Sequence, residues 1–113
     1  MGIIRESLYT IDEFYLATTI FRTFAHPLRL RILASLLVHE TRTVGELAKE
    51  FGGAQSCVSD HIAILKEINL VIGTHVQNSI LYKLNRPMWD AYKGVLASLA
   101  DDEQFKQLHV GNG

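Results

Sequence analysis

Between Phe24 and Leu84 the chain carries start and stop signals so closely spaced that only short elements fit. Pro27 opens one helix, at the first position, where a missing N–H costs nothing. Thr43-Val44-Gly45-Glu46 has the form of a capping box and opens a second helix, which runs through Phe51 and is ended by Gly52-Gly53. A third helix is predicted from Gln55 to about Asn69. Two strand-like runs follow, Leu70 to Val76 and Ile80 to Leu84, joined at Gln77-Asn78-Ser79. Leu28, Ile32, Leu33, Leu36 and Leu37 repeat at helical spacing and are expected to face inward, as are Val58, Ile62, Leu65 and Ile68. Three short helices and a hairpin form a layout that presents one helix outward on a small support.

Helices are also predicted on either side of this block. Ile11 to Phe24 reads as a helix with Thr10 as N-cap and Glu13 three residues on. Its apolar residues are Ile11, Phe14, Tyr15, Ala17, Ile20, Phe21 and Phe24. Asn85 and Pro87 start a last helix through about Ala100, with Met88, Trp89, Tyr92, Val95, Leu96 and Leu99 apolar, and Gly111 to Gly113 is expected to fray. The fold class is therefore mainly α with a small β-hairpin (α+β), in one domain spanning residues 1–113. The two terminal stripes either join the ordinary core or cover a second copy. They hold more apolar surface than one small domain needs, which favours a homodimer through residues 11–24 and 87–100, with Phe14, Phe21, Trp89, Tyr92 and Leu96 at the interface.

Composition narrows the setting. Hydrophobic residues are 48% and charged residues 20%, which argues for a folded chain and against disorder. No apolar run approaches the roughly 20 residues of a membrane-crossing helix. The N-terminus lacks the basic-then-apolar order of a signal peptide, and Glu6 removes a myristoylation reading of Met1-Gly2. The single cysteine, Cys57, excludes an intrachain disulfide and suits a reducing cytoplasm. The net charge of -1 is low for a partner of nucleic acid. From Arg22 to Glu67, however, six Arg and Lys stand against five acids, and the acidic excess sits at the ends, notably Asp101-Asp102-Glu103.

On a helical wheel with Val58, Ile62 and Leu65 inward, the third helix turns Ser56, Asp60, Ala63 and Glu67 outward. Cys57 and Ser59 flank this face, and Gln55 stands at its N-terminal end. Short polar side chains on a helix N-terminus approach base edges and phosphates closely. Gln55 suits adenine, and Ser56 or Ser59 suits a base or a phosphate. A solvated helix face is the plain alternative.

The segment from Phe24 to Leu84 resembles the ArsR/SmtB-type winged-helix repressors. His26-Pro27-Leu28-Arg29-Leu30-Arg31-Ile32-Leu33 is similar to their Asp-Pro-Thr-Arg-Leu-Arg-Ile-Leu signature. Gln55-Ser56-Cys57-Val58-Ser59-Asp60-His61-Ile62 is similar to their recognition helix, Gln-Ser-Thr-Val-Ser-Arg-His-Leu. The resemblance implies a homodimeric winged helix-turn-helix on double-stranded DNA with a near-palindromic operator. The helix-turn-helix would span about 43–69 and the wing about 70–84. Its DNA contacts would be Thr43, Gln55, Ser56, Cys57, Ser59, Asp60 and His61, with His75, Gln77 and Asn78 from the wing. Three positions depart from the pattern. Ala54 replaces a Ser N-cap, at a cost of about 1 kcal/mol. Asp60 replaces a common Arg, and its carboxylate either accepts from cytosine N4 or repels. The wing segment Thr74 to Ser79 has no Arg or Lys.

One metal site of that family is a Cys-x-Cys, and the aligned positions here are Thr43 and Gly45. The other uses spaced Asp and His on the last helix, which here has Asp90 but no His, while His109 lies alone in the tail. No metal, cofactor or enzymatic activity is therefore expected. His61 is expected to pack and hydrogen-bond, His26 to orient the turn before Pro27, and His39 and His75 to be exposed. Cys57 and His61 are neighbours on one helix, which leaves a thiol-based switch as a rival reading. A winged helix that binds protein and not DNA is the other, motivated by Asp60 and the uncharged wing. The operator sequence and any small-molecule effector are not encoded in readable form.

Overall fold

The computed structural model describes the backbone of residues 12–112 and the side chains of residues 12–109. The order is α1 (Glu13–Phe24), α2 (Pro27–Val38), α3 (Val44–Phe51), α4 (Gln55–Glu67), β1 (Val71–Val76), β2 (Ser79–Leu84), α5 (Arg86–Ala100) and α6 (Asp102–Asn112). These divide into two units, Thr23–Arg86 and the described part of Met1–Arg22 with Pro87–Gly113.

Within Thr23–Arg86, α2 and α3 each begin where a side chain answers a free N–H of the first turn. His26 caps α2, its Nδ1 accepting from the Leu28 N–H at 3.1 Å, with Pro27 following at the first helical position. Ile32, Leu33, Leu36 and Ser35 are buried on the inner stripe of α2. Leu37, expected inward, is 38% exposed, because the helical rotation carries it past the edge of the stripe that Ile32 and Leu36 define. The expected capping box opens α3: Thr43 Oγ1 accepts from the Glu46 N–H, and Glu46 accepts in return from the Thr43 N–H at 2.9 Å. Gly52 ends α3 at φ 72°, a left-handed conformation that costs glycine little.

Ala54 stands at the N-cap of α4 and offers no side-chain acceptor. Val58, Ile62 and Leu65 are buried. The helix stops at Glu67, two residues before the expected Asn69, because Asn69 turns to φ 60°. That turn lets the Leu70 N–H return to the Leu65 carbonyl at 3.0 Å and leads directly into β1.

The hairpin is antiparallel, with Val71 opposite Leu84 and Val76 opposite Ser79. Ser79 is thus the first residue of β2, not part of the turn, which shortens to Gln77-Asn78 with Gln77 at φ 55°. Arg42, just before α3, adds a bridge beyond the expected hairpin: its N–H and C=O both pair with Tyr82 of β2, at 2.9 and 2.8 Å. Gly73 lies opposite Tyr82, and a Cβ at Gly73 would come within 3.0 Å of the Tyr82 ring. Glycine here lets a buried aromatic cross the hairpin. With Leu47, Leu70, Val71 and Leu84, these side chains form the core of the unit.

In the second unit, the described part of α1 starts from Asp12, whose Oδ1 accepts from the Tyr15 N–H at 3.1 Å. The helix begins at Glu13 with Asp12 in the capping role; Thr10, the N-cap expected from the sequence, and Ile11 lie outside the described residues. Leu16, Ala17 and Ile20 are buried, while Tyr15 and Phe21 are 69% and 53% exposed. On α5 only Tyr92 is buried, and burial pushes its phenol pKa up. The helix α6 was not expected. Asp101 caps it, accepting from the Gln104 N–H at 3.0 Å, and Asp102 and Glu103 suit the positive end of its dipole. The run Asp101-Asp102-Glu103, legible as an acidic end, is thus a helix start, and the helical backbone continues to Asn112. Phe105 of α6 meets Phe14 of α1 edge to face, with ring centroids 6.0 Å apart.

Candidate nucleic-acid interface

The outward face of α4 holds Gln55, Ser56, Cys57, Ser59, Asp60, Ala63 and Glu67, all exposed. The seam of Val58, Ile62 and Leu65 anchors the opposite face. Gln55 leans over the first turn of α3: its Nε2 lies 3.5 Å from where a Cβ on Gly45 would sit, and Thr43 Oγ1 lies 3.8 Å from that same point. The fold therefore gathers Thr43 and Gln55 at the junction of α3 and α4. Thr43 itself is half-buried and engaged as a cap. In the wing, His75, Gln77 and Asn78 are exposed. Lys83 on β2 is an exposed cation within the wing, beyond the Thr74 to Ser79 stretch that lacks Arg and Lys.

His61 is set apart from that face. Its Nδ1 accepts from Arg29 Nε of α2 at 3.2 Å, and its ring lies 4.2 Å from that of His26. Burial first, then His26 and Arg29, hold the His61 pKa below its ordinary value, with Asp60 pulling the other way. The hydrogen bond expected of His61 is present, and its partner is 32 residues away.

Between α4 and β2 lies an open groove of about 420 Å3, lined by Ser59, Ile62, Ala63, Lys66, Glu67 and Tyr82. Lys66 Nζ stands 6.0 Å from the Tyr82 ring centroid, within cation–π range.

Arg42 was given no role by the sequence, yet it joins three elements. Its guanidinium reaches Glu46 at 3.2 Å and Glu50 at 3.4 Å on α3, while its backbone pairs with the wing. Ser35 of α2 donates to Glu50 at 2.8 Å. His39, expected to be exposed, is half-buried with Nε2 2.7 Å from Arg42 Nη2. The Thr43 N–H first, with Arg42 adding, holds the Glu46 carboxyl below its ordinary value. These carboxylates are partly open to water, so the network contributes orientation more than stability.

A family model described as a helix-turn-helix domain matches residues 24–74. The nodulation protein NolR of Rhizobium meliloti is 36% identical over 90 residues, covering 80% of this chain and 70% of that protein. The chain belongs to the ArsR/SmtB-type winged-helix transcriptional regulators. An uncharacterized HTH-type transcriptional regulator of Mycobacterium tuberculosis, Rv0081, is 37% identical over 68 residues, and the match spans 59% of that protein's length. The structure of the transcriptional repressor BigR from Xylella fastidiosa is similar at a TM-score of 0.63 and 25% identity, over 85% of this chain and 93% of that one.

Within this family frame, the two Cys-x-Cys positions are taken by other duties. Thr43 caps α3, and Gly45 lies beneath the Gln55 amide. Cys57 is exposed, and the Nδ1 of its neighbour His61 is engaged by Arg29. Among the described residues, no helix is long and apolar enough to cross a membrane.

Proposed function

We propose that this regulator is a homodimeric, sequence-specific DNA-binding repressor of the cytoplasm that reads a near-palindromic operator without a metal at either of the two family sites. The observation that carries the reading is the α4 face, where Gln55, Ser56 and Ser59 stand exposed at the helix N-terminus. Short polar side chains there bring the positive end of the helix dipole against phosphate and hydrogen-bonding groups against base edges. The exposed wing residues His75, Gln77 and Asn78 support it from the flank. BigR, to which the chain is similar, is a transcriptional repressor. The test is fluorescence anisotropy on the fragment upstream of the protein's own gene, in chelator. Saturable, competitor-resistant binding is expected, and binding that appears only on adding zinc, cobalt or nickel would overturn the metal-free part.

Dimerisation is supported by the apolar side chains that α1 and α5 leave open. Phe21 is exposed, and Phe14, Trp89 and Leu96 are half-buried. Tyr92, grouped with them from the sequence, is already buried within the single chain and so is not open to a second copy. Light scattering is expected to give twice the 12.7 kDa chain mass. A monomer at micromolar concentration would sink the dimer.

A protein-binding winged helix is the second reading, favoured by exposed Asp60 in the middle of the α4 face. The two readings separate on Asp60→Arg. If α4 lies in the groove, this change raises non-specific affinity and steepens the salt dependence by about one phosphate contact per protomer. An unchanged salt slope, measured by anisotropy from low to high salt, would favour the protein partner.

A further inference from the structure

We propose that the bond between Arg29 and His61 is an acid-sensitive latch on the recognition helix: protonating His61 opens it, and DNA binding falls on mild acidification. The inference rests on the DNA-binding reading above and gives that site a regulatory input.

The geometry decides the protonation state. Arg29 Nε–H is a donor only, so His61 Nδ1 must offer a lone pair to make the 3.2 Å bond. The closed latch therefore requires a neutral imidazole with its proton on Nε2. Arg29 is held at its other end, where Nη1 donates to the Thr23 carbonyl at the end of α1 at 3.1 Å. One guanidinium thus ties α4 to the turn between α1 and α2. On its other side, the His61 ring lies 4.2 Å from His26, tilted by 41°. His26 Nδ1 is already accepting from Leu28, so that nitrogen cannot take a proton from His61.

An imidazolium at His61 would face Arg29 and His26 from α2, with Asp60 on its own helix the carboxylate acting on it. Asp60 is exposed and screened by water. The side chain that lies against His61 at the N-cap of α2 is a second imidazole, His26, and α2 itself carries no Asp or Glu. Nothing on α2 is therefore available to accommodate a positive His61. The sign follows: a histidine held below its ordinary value contributes stability that is fully present above about pH 6.5 and is lost as pH falls through the folded-state value.

The test compares operator affinity at about pH 7.5 and about pH 5.5, with histidine ring and backbone amide signals followed by NMR over the same range. The parent is expected to lose at least about tenfold in affinity, and the α4 amides to titrate together with the His61 ring. His61→Gln supplies a non-titrating oxygen to Arg29, and is expected to lose less than about threefold over the same range. His26→Asp keeps the α2 cap and places a carboxylate beside His61, and is expected to move the transition up by at least about half a pH unit. That variant carries the test if His61→Gln does not fold. Acid loss of binding that persists unchanged in His61→Gln, or α4 amides that ignore the His61 titration, would overturn the latch. A chain that binds no DNA at any pH, yet shows α4 titrating with His61, would remove the DNA reading and keep the latch.

Discussion

Ser56→Glu leaves the protein folded and without operator affinity. Ser56 is exposed on the first turn of α4, and its side chain makes no hydrogen bond that the core depends on. A carboxylate near a helix N-terminus is favourable within the protein, so the fold is not penalised. Against DNA the same charge meets phosphates, and like-charge juxtaposition at an interface costs several kcal/mol. The expected loss is at least about a hundredfold, near 2.8 kcal/mol at 1.4 kcal/mol per decade. Anisotropy reads the loss, and circular dichroism confirms that helix content is kept. Affinity within threefold of the parent would mean that α4 is not the reading helix.

Leu65→Ala produces the largest loss of stability. Leu65 is fully buried in the α4 seam beside Ile62 and Val58. Truncating a buried leucine costs about 2–5 kcal/mol, through lost transfer energy and the cavity left behind. A domain of this size holds about 5–15 kcal/mol in all, so the change removes a large share of it. Thermal denaturation is expected to show a midpoint lower by at least about 8 °C. Leu37→Ala is the control: it is the same substitution at a 38% exposed position, and should cost well under half as much. Equal effects at the two sites would mean that the inward and outward assignments of these helices are wrong.

The elements from α2 to β2 were legible because their signals are local. Pro27, the Thr43–Glu46 capping box and Gly52 act within one turn of backbone, and each ends or begins a helix where the side-chain chemistry requires. The seam Val58, Ile62 and Leu65 was legible from period alone, and it fixed by elimination the outward face of Ser56, Asp60, Ala63 and Glu67. The signal for α6 was present too, in Asp101 followed by two acids, but a charge run reads equally as a solvated end until its backbone partners are seen.

What the sequence determined by itself was the order of short helices, their caps, the hairpin and, through two motifs, the family. Tertiary structure alone decided which polar side chains meet. The Arg42 guanidinium finds Glu46 and Glu50 while its backbone bridges to Tyr82, Gly73 makes room for the Tyr82 ring, and Arg29 reaches His61 across 32 residues. No periodicity encodes such pairs, because they depend on where whole elements come to rest once their apolar faces are buried. For the same reason His61, on α4 and adjacent to an outward residue, turns away from the exposed face and toward α2.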